Sequence, residues 1–142
     1  MRQRLQKLLS KHTLARIWTV FILILMAIPG NMLPREEKTF IPNFDKLIHA
    51  TLFGSFVFLW SIYYATKKEK NNQSDSRFVL ILIIACLYGV ATELMQKYLI
   101  PNRDYDIYDI LADSIGAVLG FIFVLLTVKW FRTPDSLEET HN

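Results

Sequence analysis

Residues 93–120 read ELMQKYLIPNRDYDIYDILADSIGAVLG, and the placement of charge within them decides the architecture. The stretch carries Glu93, Asp104, Asp106, Asp109 and Asp113 against Lys97 and Arg103, with Pro101 at its middle. On either side lie wholly uncharged runs, Phe78–Thr92 and Ser114–Val128, of 15 residues each. Fifteen helical residues rise roughly 22 Å, short of the ~30 Å hydrocarbon core of a bilayer. A helix that crosses must therefore take in Glu93 and Gln96 on one strand of this hairpin, and Asp113 with Asp109 on the other. Ionisable groups are costly at such depth, which marks them as candidates for function.

Working outward, apolar stretches recur at about Leu14–Leu33, Phe44–Ala65, Phe78–Tyr98 and Ile107–Phe131, each near the ~20 residues of a membrane span. A 52% hydrophobic, 20% charged composition with mean hydropathy +0.26 belongs to the same class. The expected fold is all-α: a four-helix transmembrane bundle in one domain over residues 14–131. It is flanked by a basic cytoplasmic arm (1–13) and an acidic disordered tail (132–142). The first stretch has the basic flank of a signal peptide, but Ala27-Ile28-Pro29-Gly30 is not a small-x-small cleavage site, so it is read as an uncleaved span. There are no internal repeats, and Cys86, the single cysteine, falls inside an apolar run as a packing residue.

Counting Lys and Arg places eleven on the side of the N-terminal arm, the 67–77 loop and the C-terminal end, and five on the other side. Both termini are expected in the cytoplasm of a multi-pass cell-membrane protein. Trp18, Trp60 and Trp130 fall near the expected cytoplasmic ends, and Tyr98, Tyr105 and Tyr108 near the outer ends, as two interfacial belts. A short basic arm beside a span signals topology and anionic headgroups rather than nucleic acid. The polar set would then face the extracytoplasmic half, out of reach of cytoplasmic ATP and of any nucleic acid.

Helical spacing groups the candidates. Lys46 and His49 are three apart, as are Glu93 and Gln96. Asp106, Asp109, Asp113, Gly116 and Gly120 step by three and four along one stripe. Gly116 and Gly120 form a small-xxx-small pair suited to close helix packing. A plain structural reading makes the charges an interhelical network that fixes helix order, at ~0.6 kcal/mol per contact. Against it stands an imbalance: Lys46 and Arg103 face Asp45, Glu93, Asp106, Asp109 and Asp113, two formal positive charges against five negative. Protonated carboxyls, a divalent cation or a cationic ligand group would each restore balance. Because no compact spacing such as HExxH is present, no metal-ligand set is assigned, and the cofactor is left open. There is also no Gly-x-Ser-x-Gly elbow and no Gly-rich phosphate loop, which disfavours covalent catalysis.

The combination of Asp45-Lys46-x-x-His49, Glu93-x-x-Gln96 and Arg103-x-x-Asp106-x-x-Asp109-x-x-x-Asp113-x-x-Gly116-x-x-x-Gly120 resembles the VanZ-like membrane proteins over about residues 15–130. The family pattern more usually carries asparagine at the place of Asp113. The resemblance implies a small polytopic protein of the bacterial cell envelope, linked in some members to antibiotic resistance through lower susceptibility to teicoplanin-type glycopeptides. It supplies no molecular activity. The residues themselves suggest a site that binds or processes an envelope lipid or lipid-linked cell-wall precursor. Arg103, and secondarily Lys46, would hold a phosphate or carboxylate, and Asp106 belongs to the same ligand-binding set. His49 and Glu93 would handle protons if chemistry occurs, Gln96 would orient them, and Asp109 and Asp113 would fix Arg103 or the His49 tautomer. The alternative is a non-enzymatic interaction or shielding protein whose polar cluster is structural. Either could self-associate as a homo-oligomer.

Overall fold

A computed structural model describes residues 12–32, 43–66 and 74–131; the side chains of residues 74, 75 and 129–131 are left out of the description. The basic arm, most of the 34–43 loop, the 67–73 segment and the acidic tail lie outside the described residues, as does the Trp130 side chain. Among the described residues there are four α-helices and no strand: α1 His12–Met26, α2 Phe44–Thr66, α3 Ser74–Leu99 and α4 Ile107–Phe131. Phe44–Thr66, Ser76–Leu99 and Ile107–Val128 are long and apolar enough to cross a membrane.

The first apolar stretch departs from expectation. Its helix covers 15 residues and stops at Met26 rather than continuing to Leu33. Pro29 lacks an N–H and disfavours helical geometry at Ile28. The chain tightens beforehand, with Ala27 N donating to Leu23 O and Ile24 O, and re-forms only a 3₁₀ turn at Gly30–Met32. α1 alone thus rises roughly 22 Å. Its loose end is tied down elsewhere: Gln96 Nε2 donates to Met26 O at 3.1 Å and Gly30 N donates to Pro101 O at 3.2 Å.

The ends of the long helices follow local chemistry. Asp106 caps α4, its Oδ1 accepting from Tyr108 N at 2.8 Å. α3 ends before Pro101, and Asn102 takes a left-handed φ of 58° to turn the chain. Leu47 N donates to Asn43 O as the first turn of α2 forms.

Successive helices run antiparallel, so α2 and α4 are parallel, and these two pack most closely. Their seam is glycine-built: a Cβ on Gly116 would lie 2.0 Å from Ala50 O, and one on Gly120 would lie 2.3 Å from Gly54 O. Backbone therefore meets backbone, as the small-xxx-small spacing predicts. Below the seam, Phe53, Phe56, Val57, Phe78, Ile81 and Val124 fill the core. Large apolar side chains such as Ile24, Leu87, Leu119 and Leu126 remain exposed on the outer faces, where lipid rather than water is the favourable neighbour.

The aromatic belts divide. Tyr98, Tyr105 and Tyr108 are exposed at one end of the bundle. Trp18 and Trp60 turn inward instead, Trp18 Nε1 donating to Leu52 O at 3.2 Å and Trp60 Nε1 to Thr19 Oγ1 at 3.1 Å. Both indoles join α1 to α2, because a partly buried indole N–H needs an acceptor and the neighbouring helix supplies it.

Candidate functional site

Each inward stripe changes character toward the same end of the bundle. On α3, the face that buries Phe78, Ile81 and Ala85 goes on to bury Thr92, Glu93 and Gln96. On α4 the face of Val124, Ala117 and Ala112 begins with Asp113 and Asp109, and on α2 the face of Phe53 and Val57 begins with His49. Since α2 and α4 start where α3 ends, three helices deliver polar groups to one place. Glu93, His49, Gln96 and Asp113 are each no more than 1% exposed, and Asp109 is 5% exposed.

Lys46 is the cationic hub. Its Nζ donates to Asp106 Oδ2 and Asp109 Oδ1 and lies 3.6 Å from Asp45 Oδ2. Asp106, outside the spans and partly exposed, is held below the usual carboxylate range chiefly by the hydrogen bond from Lys46. One turn deeper, His49 Nδ1 meets Asp113 Oδ1 at 2.9 Å, while His49 Nε2 faces Asp109 Oδ2 at 3.9 Å. Glu93 Oε2 accepts from the Asp106 backbone N–H at 3.2 Å, which pins the start of α4 to the end of α3. A Cβ on Gly89 would lie 2.9 Å from Asp113 Oδ2, so the bare backbone there gives Asp113 its room.

The structure thus brings together Lys46, His49, Glu93, Asp106, Asp109 and Asp113. Gln96 does not orient His49 or Glu93 through any hydrogen bond among the described residues; its amide closes the end of α1. Arg103 is half-buried beside the Gly30 turn, and neither Asp109 nor Asp113 pairs with it: the first takes Lys46 and the second takes His49. Lys46 is engaged by three carboxylates, whereas no carboxylate among the described residues pairs with Arg103. Gly54, Gly89 and Thr92, whose Oγ1 donates to Gly89 O at 2.8 Å, are the supporting residues that sequence reasoning passed over. Single small residues in an apolar run carry no spacing signal until their partner helix is known.

Among the described residues, several buried polar atoms have no hydrogen-bond partner: Glu93 Oε1, Asp113 Oδ2 and Arg103 Nε at this end of the bundle. Buried polar groups are ordinarily satisfied, so three orphans on α3, α4 and the link between them call for an explanation.

No curated protein and no solved structure matches the chain. The family model VanZ/LLP1 matches residues 2–129, and the chain belongs to that family.

Proposed function

We propose that this VanZ/LLP1-family membrane protein binds the polar headgroup of an envelope lipid or lipid-linked cell-wall precursor at the polar end of its bundle, on the extracytoplasmic side. The observation that carries the reading is the set of orphaned buried atoms. Arg103 Nε is a donor for a phosphate or carboxylate oxygen, while Glu93 Oε1 and Asp113 Oδ2 are acceptors for hydroxyl or amino groups of the same headgroup. The Lys/Arg distribution supports the side of the membrane. If the bound headgroup reacts, Glu93 and His49 are the proton-handling pair, both fully buried within the cluster.

A second reading is favoured by the Lys46–Asp109 and His49–Asp113 pairs, which join α2 to α4 and would serve a purely structural network in a non-enzymatic shielding protein. Glu93→Gln and Arg103→Ala separate the two. The binding reading expects normal accumulation in the membrane, with altered envelope lipid profile and altered teicoplanin susceptibility relative to the parent. Loss of accumulation in both variants supports the structural network. Dominant effects of substitutions in the 34–43 loop support shielding.

A further inference from the structure

We propose that Asp45, His49 and Asp109 form a binding site for one divalent transition-metal ion of the Zn²⁺ type, whatever headgroup the bundle recognises. One carboxylate oxygen from each aspartate and one imidazole nitrogen lie within 4.8 Å of one another. Asp45 and His49 are four apart on α2, so they share a face one helical turn apart, and Asp109 comes from the adjoining first turn of α4. Bonds of ~2.1 Å at the tetrahedral angle put donor atoms ~3.4 Å apart, so a closure of up to about 1.4 Å completes the site. Asp45, 37% exposed at its side chain, has the freedom to make it.

The imidazole supplies the independent sign of a ligand. His49 is 1% exposed and its Nδ1 meets Asp113 Oδ1 at 2.9 Å; with Asp113 ionised, the carboxylate can only accept and Nδ1–H is the donor. In a neutral ring with the proton on Nδ1, Nε2 carries the lone pair and lies 3.9 Å from Asp109 Oδ2, beyond hydrogen-bond reach. A carboxylate on one ring nitrogen and a free lone pair aimed at carboxylates on the other is the arrangement that orients metal-bound histidines. Lys46 Nζ sits on Asp109 Oδ1, which leaves Oδ2 toward His49, and stands 3.6 Å from Asp45 Oδ2.

Charge points the same way. Lys46 is engaged by Asp45, Asp106 and Asp109, one positive charge against three negative, and a dication would balance the remaining two. The nitrogen donor disfavours Mg²⁺ and Ca²⁺, which prefer all-oxygen shells. Three protein ligands would leave a fourth position for water or an anionic oxygen.

The test uses the full-length protein in detergent, without a polyhistidine tag, stripped of metal and titrated with Zn²⁺ by calorimetry, with bound metal counted by elemental analysis. One Zn²⁺ per chain is expected. Asp45→Asn should weaken binding by at least about ten-fold and His49→Gln should abolish it. Exposed Asp104→Asn, and a His12→Gln/His141→Gln double variant, should bind as wild type. Asp45 is 37% exposed at its side chain and only 3.6 Å from Lys46 Nζ, so that variant remains informative if His49→Gln fails to fold. Absence of stoichiometric Zn²⁺ overturns the proposal, as does undiminished binding by Asp45→Asn or loss of binding in the His12/His141 double variant. None of these results bears on lipid binding through Arg103, so the two readings fail separately.

Discussion

His49 and Asp113 lie 64 residues apart in sequence and meet at 2.9 Å with both side chains 1% exposed. The contact joins α2 to α4 one turn inside the glycine seam, and it sets which imidazole nitrogen faces the rest of the cluster. The seam and this pair are therefore built by the same two helices.

Replacing Asp113 separates hydrogen bonding from charge. Asp113→Asn keeps a carbonyl oxygen for the His49 Nδ1–H and is expected to retain most stability. Asp113→Ala leaves a buried donor unpaired and should cost about 1–3 kcal/mol. Detergent-solubilised unfolding midpoints check this; equal losses in both variants would contradict it.

Gly116→Ala is expected to destabilise by about 1–3 kcal/mol, because the new methyl falls on the Ala50 backbone rather than on a movable side chain. Gly116→Leu should prevent folding of the bundle. Unfolding in detergent measures the first, and accumulation in the membrane the second.

Asp106 supplies the acid limb of stability. Its carboxyl is depressed below the ordinary 3.8 mainly by the Lys46 hydrogen bond. A depressed carboxyl stabilises the folded state fully above its ordinary value, and the contribution disappears as pH falls through the folded value. Wild type should therefore lose stability below about pH 4. Asp106→Asn should show a shallower loss over that window in a pH series of unfolding midpoints. Because Asp106 is partly exposed, the difference will be small and will shrink with added salt.

The side of the membrane is testable at Asp104, exposed in the α3–α4 link. Asp104→Cys in a Cys86→Ala background should react with a membrane-impermeant maleimide added to intact cells. Reaction only after permeabilisation would place the polar end in the cytosol and remove the extracytoplasmic reading.

Much of this arrangement was legible in the sequence because the bilayer imposes a length. Phe78–Thr92 and Ser114–Val128 are too short to cross alone, which draws Glu93, Asp109 and Asp113 inward, and each is buried. Period-four spacing likewise exposed the Gly116–Gly120 seam. Partners were another matter. Lys46, rather than Arg103, takes Asp109, because helix order and rotation choose among several acids that spacing leaves equivalent. Pro29 was visible, but that it ends α1 at Met26, with Gln96 covering the freed carbonyl, depends on the neighbouring helix. The tryptophans turned inward for the same reason: acceptors on α1 and α2 are invisible until the helices are packed.

The central claim is that three helices bring their acids and imidazole to one buried place that, together with Arg103 of the α3–α4 link, holds a lipid headgroup. Native mass spectrometry of the purified protein, with identification of co-purified lipid, tests it most directly. The account expects about one anionic lipid retained per chain by wild type and its loss in Arg103→Ala and Glu93→Gln at unchanged helicity and unfolding midpoint. Equal lipid retention by wild type and both variants, or none by wild type, would contradict it.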